Sequence, residues 1–230
     1  MIQYDPGFAP ANILAVRMPD GTLVLCSSPY DTVATRAMVR GLRQRFRPSR
    51  IVAINVHFHP DGTGGNQGYA LEGVETYGSE LTAAALARRG PAVWQETARA
   101  APPRARARLE ATPRISATKT FRAEDGLRLT FGGESVQVLY PGAGHSPDNV
   151  VVYFPSRRLL YGGDLIRAAR AGVGFRGDAN LAQWPAAVRS LAALSFEKVV
   201  PGHGKAGGRE LLEHTLRVVG DAVSRPDVAY

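Results

Sequence analysis

At 230 residues, 44% of them hydrophobic, the chain is long enough to bury a large core and is expected to form one domain over residues 1–230. Its single cysteine excludes an intrachain disulfide framework and a multi-cysteine zinc site, no run approaches the roughly 18 apolar residues of a membrane span, and residues 1–6 do not open a signal peptide. The net charge of +8 is spread over arginines in ones and twos, without the aromatic-interleaved basic block of single-strand binders, so neither a nucleic acid nor a membrane is expected as a partner.

Taken in chain order, Asn12 to Arg17 and Thr22 to Ser27 flank Met18-Pro19-Asp20-Gly21 and predict a hairpin, with Cys26 as a small buried hydrophobe in its second strand. Asp31 offers an N-cap to a helix reaching about Phe46, with Ala34, Met38, Leu42 and Phe46 on the packed line and Arg36, Arg40, Arg43 and Arg47 off it. The apolar run Ile51 to Val56 reads as a buried strand and leads directly into His57-Phe58-His59-Pro60-Asp61-Gly62-Thr63-Gly64-Gly65. While the chain stays extended, residues 57, 59 and 61 share one side, so two imidazoles and a carboxylate converge at a strand end. Those are donors that zinc takes at about 2.0 to 2.2 Å.

Val74 to Tyr77 predicts a short strand, and Ser79 caps an alanine-rich helix to about Arg89. A second helix is expected to begin near Pro91 and to falter at Pro102-Pro103, with Arg104 to Arg108 as a solvated connector. Strands follow at 115–121, 127–131, 135–140, 149–154 and 158–161. Pro185 then opens a helix through Leu194, Val199-Val200 is a short buried strand, and a helix from about Arg209 to Val223 closes the chain. Two strand-rich halves that each finish in helices predict an α/β fold, a four-layer αββα sandwich of two mixed sheets with the ligand loops along one edge.

Three further Gly-flanked loops follow apolar runs and carry ligand-type residues: His145 in Pro141 to Asn149, Asp164 after Gly162-Gly163, and His203 in Pro201-Gly202-His203-Gly204. Four of the five histidines thus share one strand-to-loop context. The fifth, His214, falls on the apolar face of the last helix and reads as structural.

On His57 to Gly65, Gly144-His145-Ser146-Pro147-Asp148-Asn149-Val150-Val151-Val152, Gly177-Asp178-Ala179-Asn180 followed by Trp184-Pro185, and Pro201 to Gly204, the chain resembles the class B metallo-β-lactamases from about residue 12 to residue 219. Among them it is most similar to the di-zinc first subclass, and Gly62 supports that branch, because the wider superfamily normally has a histidine there. The resemblance implies a first zinc held by His57, His59 and His145 and a second held by Asp61, Asp164 and His203. Asp61 would also orient the nucleophile, a metal-bound hydroxide that opens the amide ring of a β-lactam.

Asp164 departs from the subclass, which carries cysteine there. A carboxylate is harder than a thiolate and would let the second site tolerate manganese or iron, and hydrolases elsewhere in the superfamily use aspartate here, often bridging the two metals. Arg167 falls where the family often has a lysine that pairs with the substrate carboxylate, and Phe175 falls near an asparagine that polarises the carbonyl. With Asn149 they form the expected substrate contacts. The lead-in before the first motif is shorter than the family's, so the opening hairpin is expected to be trimmed or absent. The chain reads as cytoplasmic as written, or periplasmic if an upstream signal has been removed. The expectation is a monomeric two-zinc hydrolase of a small-molecule substrate with weak β-lactamase activity. The alternative is a lactone, ester or thioester hydrolase of the same fold, and the third reading is a non-catalytic metal- or nucleic-acid-binding protein.

Overall fold

The apolar runs are continuous rather than alternating because both faces of each central strand are covered. The computed structural model describes residues 1–224; of the domain expected over 1–230, residues 225–230 lie outside the described residues. A six-stranded sheet holds β1 (Ile2–Tyr4), β2 (Ala11–Arg17), β3 (Leu23–Cys26), β4 (Ile51–Ile54), β5 (Glu75–Ser79) and β6 (Lys119–Phe121) in sequence order, antiparallel as far as β3 and parallel from there on. A five-stranded sheet holds β7 (Leu127–Phe131), β8 (Glu134–Leu139), β9 (Val151–Phe154), β10 (Leu159–Gly163) and β11 (Lys198–Pro201), in which only β10 and β11 pair in parallel. The helices are α1 (Thr32–Phe46), α2 (Pro60–Thr63), α3 (Asn66–Leu71), α4 (Glu80–Ala100), α5 (Pro103–Glu110), α6 (Trp184–Ser190) and α7 (Glu210–Ser224).

Odd and even positions of the strands sort into layers. Val24, Cys26, Val52 and Ile54 pack inward against Val136, Val138, Val152 and Tyr161 of the second sheet. Their neighbours Leu23, Leu25, Ile51 and Ala53 pack outward against Val39 and Leu42 of α1 and Tyr69 of α3. On the far side Val151, Tyr153 and Leu160 meet Trp184 and Ala187 of α6 and Leu211 and Val219 of α7. The four-layer sandwich expected from the sequence is therefore present. Cys26 is fully buried and its thiol pKa is raised by that burial, so it stays an inert thiol.

Several elements differ from expectation for local reasons. Asp31 does cap α1, accepting the N–H of Ala34 at 2.8 Å, but the buried stripe is Thr35, Val39 and Leu42, one residue round from the line drawn through Ala34 and Met38. The helix expected to break at Pro91 does not: α4 runs 21 residues through it, because an exposed proline forfeits one N–H bond while Val93, Trp94 and Ala98 beyond it are buried. The arginine-rich connector is itself a helix, α5, with Ala105 and Leu109 buried and Arg106 donating to the carbonyls of Ala98 and Arg99 at the end of α4, at 2.9 and 3.2 Å. The strand expected from residue 115 starts only at Lys119. Of the two outcomes expected for the opening hairpin, trimmed or absent, the structure has a short one: β1 pairs antiparallel with β2, and residues 5–10 form the loop between them. His214 has a structural place, with Nε2 at 2.8 Å from the Ala171 carbonyl. No described helix is long and apolar enough to cross a membrane.

Candidate metal centre

Strand β4 ends at Ile54, so the His57, His59 and Asp61 side chains are not aligned by strand alternation. Instead the chain turns after β4, His59 is the extended residue that precedes α2, and Pro60 begins that single helical turn, with Asp61 in it. The turn is held from several sides by buried polar groups. Asn55 donates to the Gly62 carbonyl at 3.0 Å and exchanges amide hydrogen bonds with Asn66, while Ser27 Oγ and Ser28 N both donate to the Asp61 carbonyl, at 2.6 and 3.1 Å. Gly62 is forced by closeness: a Cβ there would lie 2.1 Å from the His57 carbonyl oxygen.

The other three residues arrive from the second sheet. His145 sits in a loop closed by Asn149, whose Oδ1 accepts from Ser146 N at 3.1 Å and whose Nδ2 donates to the Gly142 carbonyl at 2.8 Å. Asn149 is buried, and both ends of its amide are spent on that loop, so the expected substrate contact is corrected to a support for His145. Asp164 follows Gly163 at the end of β10, and Gly202 passes so close that a Cβ on it would meet Asp164 Oδ1 at 1.8 Å. The loop of His203 is clamped by the fully buried Asn12, which donates to the carbonyls of Pro201 and Gly204 at 2.9 and 2.7 Å. His203 Nδ1 donates to the Pro10 carbonyl at 2.8 Å, and its Nε2 faces Asp61 and Asp164.

Together the six residues expected as ligands form one cluster. Donor atoms of His57, His59 and His145 lie within 4.8 Å of one another, as do those of His57, Asp61 and Asp164. Asp61 spans the two groups, with Oδ1 3.4 Å from His57 Nε2 and Oδ2 3.2 Å from His203 Nε2. Asp164 Oδ2 is likewise shared, 3.1 Å from His203 Nε2 and 3.6 Å from His145 Nε2. His57 is 1% exposed and makes no hydrogen bond through either ring nitrogen, and Nδ1 of His145 makes none either. The orphan His57 Nε2 faces the buried Asp61 carboxylate, and with His145 Nε2 and His203 Nε2 beside Asp164 it gives the mixed nitrogen and oxygen donor set that a divalent cation takes, so the residues fit such an ion.

Without an ion the buried charges pair with one another, and an ion would displace the protons of His57 and His203. Burial pushes the Asp61 and Asp164 carboxyls towards neutrality, but His57 and His203 beside Asp61, and His203 beside Asp164, hold both below the usual carboxylate range. Burial opposes charge on His57, yet the Asp61 carboxylate raises its pKa to about 9, and Asp164 and Asp61 raise His203 against the same penalty. His145 goes the other way. Burial, helped by His59 and His57, outweighs Asp164 and keeps its pKa well below the usual value, which leaves a neutral imidazole able to ligate.

Above the cluster lies a cleft of about 560 Å³. Phe8 and Pro10 of the opening loop form one wall, and Val93 and Thr97 of α4 another. Phe175 is 42% exposed at its mouth with its ring 5.4 Å from that of His59, and Arg167 lines it with Nη1 3.9 Å from Asp164 Oδ2 and Nε bound to the Gly172 carbonyl at 2.8 Å. Of the three expected substrate contacts, two border this space.

Sequence reasoning missed Asp178 as a working residue, although its Gly177-Asp178-Ala179-Asn180 stretch was singled out. Its Oδ2 lies 3.1 Å from His59 Nε2, across 119 residues of chain that no local pattern could span. Asn12 was missed for the same reason.

A family model described as the metallo-beta-lactamase superfamily matches residues 7–203. The chain is 29% identical over 210 residues to the metallo-beta-lactamase type 2 of Bacillus sp. (strain 170), covering 90% of this chain and 72% of that one. It is 27% identical over 226 residues to the metallo-beta-lactamase type 2 of Bacteroides fragilis, covering 96% and 80%. Among solved structures, a metallo-beta-lactamase from Pontibacter korlensis superposes with a TM-score of 0.77 at 28% identity, over 92% of this chain and 88% of the other.

Proposed function

This chain belongs to the metallo-beta-lactamase superfamily, and from that premise we propose that it is a two-zinc hydrolase that opens the amide ring of β-lactams slowly. The observation that carries the reading is the convergence of four histidines and two aspartates, all contributed by one chain, at the floor of a cleft large enough for a small molecule. Bound zinc ions would supply Lewis acidity, making water nucleophilic near neutral pH and polarising a carbonyl. His57, His59 and His145 would hold one ion and Asp61, Asp164 and His203 the other.

The protein's own groups do the remaining work. Asp61 reaches both halves of the cluster through its two oxygens, so it can hold the attacking water in line and take its proton at Oδ1 or Oδ2. Arg167 lines the cleft and would pair with a substrate carboxylate there. Phe8, Val93 and Phe175 line the cleft with apolar surface, which excludes water and strengthens the electrostatics within it. Every ligand comes from a single chain, so a monomer suffices.

A second reading is favoured by two features of the site. Asp164 Oδ2 stands between His203 and His145, where a carboxylate could serve both ions, and Phe175 offers no hydrogen bond to a carbonyl. Both features suit a lactone, ester or thioester, whose leaving oxygen or sulfur needs less help than a nitrogen. Purified protein stripped with a chelator and restored with zinc should hydrolyse a cephalosporin only when loaded. Zinc-dependent turnover of a lactone with none of the cephalosporin would favour the second reading, and turnover of neither would overturn both.

A further inference from the structure

We propose that Arg89 of α4 is a positioning residue for His59, acting through Asp178, and that Glu96 in the cleft wall locks Arg89 in place. The inference rests on the reading of His59 as a metal ligand. His59 turns Nδ1 towards His145 Nε2, at 3.0 Å, and its other nitrogen, Nε2, towards Asp178 Oδ2 at 3.1 Å. A carboxylate accepting the Nε2 proton fixes the ring's rotation and tautomer and leaves the Nδ1 lone pair for the cluster.

Asp178 is itself held. Its second oxygen, Oδ1, accepts the Nε–H of Arg89 at 2.7 Å. The same guanidinium places Nη1 and Nη2 on Oε1 and Oε2 of Glu96, at 3.1 and 3.2 Å. One planar fork therefore joins two carboxylates, using three donors that a lysine ammonium cannot present in that arrangement. The Asp178 side chain is 8% exposed, so its carboxylate depends on these partners more than a surface acid would.

The arrangement depends on the continuity of α4. Arg89 and Glu96 are seven residues apart, two turns on one face of a helix, and that spacing holds only because α4 runs unbroken through Pro91. Had the helix ended there, Glu96 would not stand over Arg89. Glu96 also lines the cleft, so the chain of contacts runs from the substrate-facing wall to the ring of a metal ligand.

The test measures zinc affinity by chelator competition, and the absorption spectrum of the cobalt-substituted protein, on the full chain and its variants. Arg89→Gln should weaken zinc binding by about tenfold, the lower end of what loss of a ligand's supporting partner costs. It should also shift the cobalt spectrum, and Arg89→Lys should not restore either. Glu96→Gln, at a half-exposed position, should give a smaller loss in the same direction and serves if Arg89→Gln fails to fold. In an Asp178→Asn background, Arg89→Gln should cause no further loss, whereas a merely structural role would give additive losses. Unchanged affinity and spectrum in Arg89→Gln, or additive losses, would overturn the proposal while leaving the metal centre standing. Wild-type protein that binds no zinc would overturn the reading of the centre itself.

Discussion

Gly62 can be tested with a single methyl group. In Gly62→Ala the new Cβ would lie 2.1 Å from the His57 carbonyl oxygen, 2.9 Å from His57 Nδ1 and 3.0 Å from the His57 carbonyl carbon. The obstacle is backbone, not the end of a flexible side chain, so the turn of α2 and His57 must separate by about 0.9 Å to bring the first contact to 3.0 Å. The turn cannot easily retreat, because Asn55 holds the Gly62 carbonyl and Ser27 and Ser28 hold that of Asp61. The strain therefore reaches His57 and Asp61, and a displacement of that size exceeds the roughly 0.5 Å tolerance of a catalytic constellation. A misplacement near 1 Å costs on the order of a hundredfold in rate, or about 2.7 kcal/mol of transition-state stabilisation. The assay is kcat/KM on whichever of a cephalosporin and a lactone the wild type turns over, at saturating zinc, with zinc affinity measured alongside. Wild-type values for both in Gly62→Ala would refute the account of why glycine stands there.

Asp164→Cys should raise cephalosporin hydrolysis ten- to a hundredfold, about 1.4 to 2.7 kcal/mol, and weaken any lactone hydrolysis, as kcat/KM on both substrates would show. A variant no better on the cephalosporin than an already fast wild type would make Asp164 a neutral ligand swap. Asn149→Ala removes two loop bonds, one buried and one partly so, and should cost about 1 to 3 kcal/mol of stability, with kcat falling and KM little changed, because Asn149 supports His145 and does not line the cleft. A raised KM with unaltered melting would restore it as a substrate contact. In metal-free protein, His57 has its pKa raised to about 9 from 6.5, so its contribution, on the order of 3 kcal/mol, is full below pH 6.5 and lost as pH rises through 9. Thermal melting of the metal-free form should therefore fall on the alkaline side while the zinc-loaded form does not follow it, and a flat metal-free profile from pH 6.5 to 9.5 would contradict the pairing with Asp61.

What was legible in the sequence was whatever local pattern encodes. The strands β2, β3, β4 and β9 show as apolar runs, the capping of α1 by Asp31 and of α4 by Ser79 follows from side chains next to the helix start, and the ligand-type residues all lie in Gly-flanked stretches just beyond strand ends. Pro91 misled because a proline's local cost was weighed without the buried contacts of Val93 and Trp94 that outbid it. The convergence of His57, His59 and Asp61 was expected for the wrong geometric reason, strand alternation, where a one-turn helix does the work. Asp178, Arg89 and Asn12 could not be assigned from sequence, since each acts on a residue far along the chain. Asn149 lies within the right motif, but only its burial and its two loop hydrogen bonds separate a loop support from a substrate contact.

Zinc stoichiometry tests most directly whether these six residues hold two ions in one cluster. Metal-free protein titrated with zinc, followed by elemental analysis after removal of unbound metal, should retain two ions per chain. His145→Ala should release chiefly one of them and His203→Ala chiefly the other. Wild-type protein that retains at most one ion, or two variants that both still retain two, would contradict the account.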